Sequence, residues 1–100
     1  MVKMRKVIID KETGIALHRA YAYIKKDSLQ NAEKVRKKIL SSIKMLPKDP
    51  ERHAPDKYRI DNDGSYRAYE VYKYRITYHV GISEIRIIRI RHTKMNPVEY

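Results

Sequence analysis

The sequence has 100 residues, enough for one packed core and too few for two independent domains, so we expect a single domain over residues 1–100. Lysine and arginine number 23 against 12 aspartates and glutamates, and the net charge of +11 predicts a nucleic acid or an acidic protein as partner. The lack of cysteine excludes disulfides and thiolate chemistry, and no apolar run reaches the roughly 18 residues of a membrane span. The basic start also lacks the apolar stretch of a signal peptide, so we expect a cytoplasmic protein with no membrane partner.

The first half of the chain predicts a strand and two helices. Val2 to Asp10 is typical of a short strand with apolar residues near its end. Apolar residues then recur at helical spacing from about Glu12 to Lys26 and from Leu29 to Leu46, and Pro47 ends the second pattern. These two segments predict an αα-hairpin.

Capping and turn residues mark the boundaries between elements. Asp27 or Ser28 can cap the second helix, and Gln30 stands where a capping box beginning at Asp27 places it. Residues 47–56 contain three of the four prolines and predict a loop. The DNDG sequence at 61–64 predicts a turn, because Asn, Asp and Gly tolerate positive φ.

The second half predicts a sheet. Tyr58 to Ile60 is compatible with a short strand or an extended lead-in. Strand patterns then cover Tyr66 to Tyr72, Tyr74 to Val80 and Ile85 to His92, with short turns between them. A strand, an αα-hairpin and a three-stranded antiparallel meander predict an α+β domain whose helices pack on one face of the sheet.

The pattern from Tyr74 to Val80 predicts two different sheet faces. Tyr74, Ile76 and Tyr78 alternate with Arg75 and Thr77, as in a strand with one face in the core and one face exposed. We therefore expect the face opposite the helices to be bare and positively charged.

The last strand carries its isoleucines in two phases, Ile85 with Ile87 and Ile88 with Ile90. A β-bulge near Ile87 would reconcile the two phases. It would direct three arginines away from the core: Arg86, Arg89 and Arg91. Arg67 has an ambiguous phase, since Tyr69 and Val71 share its parity.

Basic residues on a strand face often serve only solubility or protection of a sheet edge. Here the excess of positive charge, the nine tyrosines and the preference for arginine over lysine in the strands favour a binding surface. These features do not distinguish RNA, DNA and an acidic protein.

The segment EIRIIRIRHTKMNP, residues 84–97, resembles the last strand and tail of the RelE/ParE superfamily of toxins from type II toxin–antitoxin pairs. The hairpin ending at Leu46-Pro47, the proline-bearing loop, the Tyr66-Arg67 pair and YRITY at 74–78 are similar to the family pattern in order and spacing. The resemblance spans nearly the whole chain and implies the superfamily's fold.

Two activities are known in this superfamily. RelE-like members are ribosome-dependent mRNA endonucleases, whereas ParE-like members inhibit DNA gyrase by binding it. The tail IIRIRHTKMN is more similar to the ParE type. The resemblance therefore implies a gyrase inhibitor, with an mRNA endonuclease as the alternative.

The resemblance also implies candidate site residues. The target- or phosphate-binding cations are Arg67, Arg75, Arg89, Arg91 and Lys94. If the chain is RelE-like, His92 or Tyr100 would be the catalytic acid or base. A histidine that closes a strand more often bonds the adjacent backbone, and a residue at a chain terminus tends to fray.

The implied partners are an acidic antitoxin that folds on contact and forms a hetero-oligomer with the toxin, and DNA gyrase or, alternatively, the ribosome and mRNA. We expect no cofactor and no metal site, because His18 fits a helix surface, His53 fits a loop, and no ligand spacing is present. A basic nucleic-acid-binding module is a further alternative.

Overall fold

The computed structural model describes residues 4–100. The elements in chain order are β1 (Lys6–Ile9), α1 (Lys11–Lys25), α2 (Leu29–Met45), a 3-10 turn (Leu46–Lys48), β2 (Tyr66–Val71), β3 (Tyr74–Val80) and β4 (Glu84–His92). The predicted α+β class, the αα-hairpin and the meander are confirmed, with element ends within one or two residues of the prediction except in the first strand. That strand begins at Lys6, and the predicted positions Val2 and Lys3 lie outside the described residues.

The four strands form one mixed sheet in the order β1-β4-β3-β2. The meander is antiparallel, and β1 joins β4 in parallel, with Val7 opposite Ile85. A parallel pair needs a crossover connection, and the αα-hairpin lies in the chain between β1 and the meander. The first strand and the three-stranded meander expected from the sequence thus form a single sheet, in which β1 lies at the edge beside β4.

The core lies between the two helices and the inner face of the sheet, the face on which the helices pack. Ile39 from α2, Ile76 and Tyr78 from β3 and Ile87 from β4 are fully buried there. The apolar stripe of α1 packs at the margin of the same cluster through Leu17 and its neighbours. This packing confirms that both helices cover one face of the sheet.

The predicted boundary signals are present. Ser28 is the N-cap of α2, and its hydroxyl accepts a hydrogen bond from the backbone N–H of Asn31 at 3.1 Å. In the DNDG turn, Asp61 and Gly64 have φ of 53° and 97°. Tyr58 to Ile60 forms a turn rather than the strand or extended lead-in compatible with its sequence.

The predicted bulge in β4 is confirmed. Thr77 pairs with Arg89 while the next residue of β3, Tyr78, pairs with Ile87, so Ile88 is the extra residue. The bulge allows Ile85, Ile87 and Ile90 all to be buried on the inner face.

Residues 49–56 run along the open edge of β2. The Asp56 N–H donates to the Tyr66 carbonyl at 2.8 Å, and the Ala68 N–H donates to the Ala54 carbonyl at 3.3 Å. The buried Tyr78 hydroxyl donates to the Pro50 carbonyl at 2.7 Å, and burial raises the pKa of Tyr78 to about 12. The loop therefore shields one edge of the sheet.

No helix in residues 4–100 has the length and apolar character to cross a membrane.

Candidate functional site

The outer face of the sheet, the side away from the helices, carries the arginines of β3 and β4. The strand register places Arg75 opposite Arg91 and Thr77 opposite Arg89, with Arg86 further along β4. These positions alternate with the buried isoleucines, so the arginines of β4 face away from the core as predicted.

Two segments cover one end of this outer face. The Ile60 N–H donates to the Tyr100 carbonyl at 2.7 Å, and the Tyr100 N–H donates to the Tyr58 carbonyl at 3.1 Å, which joins the tail to the turn after residue 56. Beneath them Thr77 is only 3% exposed, although it lies on the side away from the helices. The expectation of a bare outer face is therefore wrong at this end.

Asp56 is the centre of the covered end. Its side chain is 1% exposed and accepts hydrogen bonds from Arg75 at 2.9 Å, from the Tyr100 hydroxyl at 2.6 Å and from the Tyr58 N–H at 3.1 Å. Burial alone would raise the pKa of Asp56, but the hydrogen bonds from Tyr100, Arg75 and Tyr58 outweigh it, and the pKa lies below its ordinary value. Asp56 is thus a buried, ionised carboxylate.

Asp56 was absent from the candidates taken from the sequence. Its sequence context, a polar loop after Pro55, gives no sign of burial, because the burying residues lie at positions 75 and 100. A carboxylate two residues before a tyrosine, at the end of a proline-rich loop, is the weak signal available.

Tyr100 is held in place rather than frayed. Burial and its hydrogen bond to Asp56 raise the pKa of Tyr100 above its ordinary value. The Arg59 and Arg89 guanidinium carbons lie 5.2 and 4.7 Å from the centre of its ring. The Tyr100 hydroxyl therefore donates its hydrogen bond to Asp56, while two arginine side chains lie against the ring.

Arg89 and Arg91 are the cations of this face with free capacity for a partner. Arg89 donates to the Val98 carbonyl at 3.5 Å and Arg91 to the Asn96 carbonyl at 3.4 Å, both long contacts. Neither forms a salt bridge within residues 4–100. Together with Arg75, His92 and Tyr100 they line a small cavity of about 100 Å³ between the tail and the sheet.

Arg75 and Arg86 are neutralised by carboxylates. Arg75 has Glu70 at 3.8 Å in addition to Asp56. Arg86 pairs with Asp10 and, at 3.4 Å, with Glu84, and the hydrogen bond and charge of Asp10 raise the pKa of Arg86. Among the strand arginines of the outer face, Arg89 and Arg91 are therefore the two without a carboxylate partner in residues 4–100.

His92 caps the turn into the tail. Its Nδ1 accepts a hydrogen bond from the Lys94 N–H at 3.0 Å, and its ring meets the Tyr74 ring edge-on at a centroid distance of 5.1 Å. This is the backbone contact that a strand-closing histidine commonly makes. Lys94 itself is exposed at the start of the tail.

Arg67 does not join the other candidates. It pairs across the strands with Tyr78, on the side of the helices, and donates to the carbonyls of Gly64, Glu51 and His53 at 3.0, 3.2 and 2.6 Å. These bonds anchor the loop along β2. The structure thus brings together Arg75, Arg89, Arg91, His92 and Tyr100 and leaves Arg67 on the opposite face.

Across residues 4–100, no group of three or more histidines and carboxylates could hold a metal ion.

The chain is an αα-hairpin packed on a four-stranded mixed sheet, with a tail that crosses one end of the basic outer face. A solved structure described as the chromosomal ParDE TA system from P. aeruginosa is similar to this chain, with a TM-score of 0.72 and 19% identity, covering 91% of this chain and 98% of that one. The model of the ParE toxin of type II toxin–antitoxin systems, parDE, matches residues 8–97. The chain belongs to this ParE toxin family. The resemblance seen in the sequence and its ParE branch are confirmed, and no curated protein sequence matches significantly.

Proposed function

We propose that this ParE-family toxin acts on DNA gyrase by binding it, and that an acidic antitoxin neutralises the toxin by covering the outer face of the sheet. The chain belongs to the ParE toxin family, its sequence resemblance to ParE-like toxins implies gyrase inhibition, and the similar solved structure is described as a ParDE TA system. The net charge of +11 suits an acidic antitoxin segment and speeds its association.

The observation that carries a binding mechanism, rather than RNA cleavage, is the state of Tyr100. Its hydroxyl donates to an ionised Asp56 at 2.6 Å and its pKa is raised, so it is a poor base for a ribose hydroxyl. His92 is the other candidate, and its Nδ1 accepts a backbone N–H. With Nδ1 accepting, the ring proton of His92 lies on Nε2, so neither Tyr100 nor His92 offers a free general base, although the cations of a nuclease are present.

Arg89 and Arg91 are the residues we assign to the target contact. They lack carboxylate partners in the described part of the chain, and Arg89 lies against the ring of Tyr100. Arginine gives planar, bidentate contacts to carboxylates, which suits an acidic protein surface. Lys94 extends the same cationic surface at the edge of the tail.

The test measures supercoiling of relaxed plasmid by purified gyrase in the presence of the toxin. We expect inhibition by the wild type and about tenfold weaker inhibition by Arg89→Gln/Arg91→Gln, a loss of ~1.4 kcal/mol in binding. Lys11→Gln/Lys25→Gln removes the same charge from the exposed side of α1 and should inhibit like the wild type.

The alternative activity, mRNA cleavage, is tested by inducing expression of the toxin and measuring mRNA integrity and DNA supercoiling in the same cells. Intact mRNA with lost supercoiling supports the proposal. Cleaved mRNA with normal supercoiling would replace it by the endonuclease alternative, and salt-dependent nucleic-acid binding without toxicity would replace it by a basic binding module.

The antitoxin is tested by co-expression. A gene beside this one should encode a small protein with an acidic segment that restores growth. Its binding should weaken when Arg89 and Arg91 are replaced by glutamine, because the antitoxin is proposed to cover these residues.

A further inference from the structure

A second basic surface lies on α2, facing away from the sheet. Four exposed lysines follow one side of the helix, and we call them the α2 lysine face: Lys34, Lys37, Lys38 and Lys44. At 100° per residue they occupy an arc of about 120° opposite Ala32, Ile39 and Ile43, which are buried. The helix therefore separates its lysines completely from its core side.

The charge of this face is not compensated within the described residues. Glu33 is the single acidic residue of α2, and it accepts a hydrogen bond from the Tyr21 hydroxyl at 2.6 Å, toward α1. None of the four lysines forms a salt bridge in residues 4–100. Lys34 stands three and four residues before Lys37 and Lys38, spacings at which like charges destabilise a helix. The face therefore carries a positive field that no carboxylate of the described residues cancels.

Three of the four lysines border a shallow groove between α2 and the β2–β3 turn. Lys34, Lys37, Lys38, Ser41 and Tyr72 line it. The Lys34 Nζ lies 5.8 Å from the centre of the Tyr72 ring, and Tyr72, with φ of 53°, projects from the turn with 52% of its surface exposed. The groove thus offers ammonium groups, a hydroxyl and one aromatic edge.

We propose that the α2 lysine face binds the phosphate backbone of duplex DNA. Lysine is a flexible point charge that suits phosphates in a sequence-independent way, whereas base readout favours the arginine, asparagine and glutamine contacts absent from this set of four. Single-stranded nucleic acid needs successive stacking aromatics, and Tyr72 is the one aromatic residue lining the groove.

The dimensions agree with a duplex. From Lys34 to Lys44 the helix rises about 15 Å, a length over which duplex DNA carries about nine phosphate charges. Four lysines along this length can follow the backbone and release bound counterions.

The α2 lysine face and the outer face of the sheet lie on opposite sides of the molecule, because α2 packs its buried side against the inner face of the sheet. One molecule can therefore contact a protein through Arg89 and Arg91 while contacting DNA through α2. The choice of DNA over duplex RNA rests on the proposed function, since gyrase is a DNA-bound target.

The experiment is fluorescence anisotropy with a labelled DNA duplex of about 25 base pairs, titrated with the full chain between about 50 and 200 mM salt. The test variant replaces Lys34, Lys37, Lys38 and Lys44 by glutamine, which has a similar helix propensity. The matched control replaces four exposed cations of α1 and its C-cap by glutamine: Lys11, Arg19, Lys25 and Lys26.

We expect the wild type and the α1 control to bind with a steep dependence on salt. The α2 variant should bind at least about tenfold more weakly at low salt, and its slope of log affinity against log salt should be smaller by about 3.6, as expected for four lost phosphate contacts. Circular dichroism should show unchanged helix content in both variants.

Three results would overturn the inference: no duplex binding at low salt, equal loss in the two variants, or tighter binding to single-stranded DNA or duplex RNA than to duplex DNA. The gyrase assay separates this inference from the proposed function. Duplex binding through α2 without gyrase inhibition refutes the proposed function alone, and gyrase inhibition without duplex binding refutes the inference alone.

Discussion

The molecule has two basic surfaces that differ in whether carboxylates of the same chain pair with their cations. On the outer face of the sheet, Arg75 and Arg86 each meet two carboxylates, and Arg89 lies against the Tyr100 ring. On the α2 lysine face, no lysine meets a carboxylate within the described residues. Cations that are equivalent in the sequence therefore form two surfaces that differ in the carboxylate partners supplied by the fold.

The difference follows from the geometry of the two elements. Neighbouring strands place Arg75 beside Glu70, and the distant Asp56 accepts hydrogen bonds from both Arg75 and Tyr100. The outer side of a helix has as neighbours mainly its own residues three and four positions away, and on α2 these positions place Lys37 and Lys38 beside Lys34. Charge on the sheet contributes to stability, whereas charge on α2 remains available to a ligand.

The largest effect on stability is expected when the buried carboxylate of Asp56 is removed. Asp56→Ala should lower the free energy of unfolding by about 3 kcal/mol, because it leaves the partly buried Arg75 and the Tyr100 hydroxyl without their partner. Urea unfolding measures the loss. Glu51→Ala, an exposed loop carboxylate without a salt bridge in residues 4–100, should change little, and similar losses in both variants would contradict the assigned role of Asp56.

Removal of one hydroxyl group should give a smaller effect. Tyr100→Phe keeps the ring against Arg59 and Arg89 but deletes the hydrogen bond to Asp56, and we expect a loss of about 1.5 kcal/mol. In the double variant with Asp56→Ala, the hydroxyl should add almost nothing. Additive losses in urea unfolding would refute the pairing of these two residues.

The pH dependence of stability should report the same carboxylate. The pKa of Asp56 is lower in the folded chain than in the unfolded chain, where it is about 3.9. As the pH falls below about 5, the unfolded chain binds the proton first, so stability is lost progressively.

Asp56→Asn lacks this group, so its stability should fall less steeply, and the gap from the wild type should narrow by about 1 kcal/mol toward low pH. Other carboxylates, such as Asp63 with its lowered pKa, are shared by both proteins and cancel in the difference. Parallel stability curves from pH 6 downward, measured by urea unfolding, would be the opposite result.

The smallest effect is expected on α2. Lys38→Gln relieves repulsion from Lys34 and should raise the melting temperature by roughly 1–2 °C at low salt. Calorimetry at about 1 M salt should show no difference, since such salt screens exposed charges. A destabilised Lys38→Gln variant would mean that this lysine has a structural partner.

The sequence was sufficient for much of the fold. Helical spacing, the cap at Ser28 and the turn at 61–64 act through near neighbours in the chain, so their signals are local. The two isoleucine phases of β4 even predicted the bulge, because a strand can bury both sets only with an extra residue.

The site was predictable only in part. Arg75, Arg89 and Arg91 could be placed on one face from alternation, but the ambiguous Arg67 lies on the other face, where it holds the loop. Asp56 could not be found, since its burial depends on Arg75 and Tyr100, 19 and 44 residues away.

By itself the sequence determined the elements, the face on which the helices pack and the toxin family, because periodicity and short motifs are properties of neighbouring residues. The tertiary structure decided that β1 pairs with β4, that the tail closes one end of the basic face, and which cations are already neutralised. These depend on contacts between distant segments, whose free energy is gained when the core forms and brings them together.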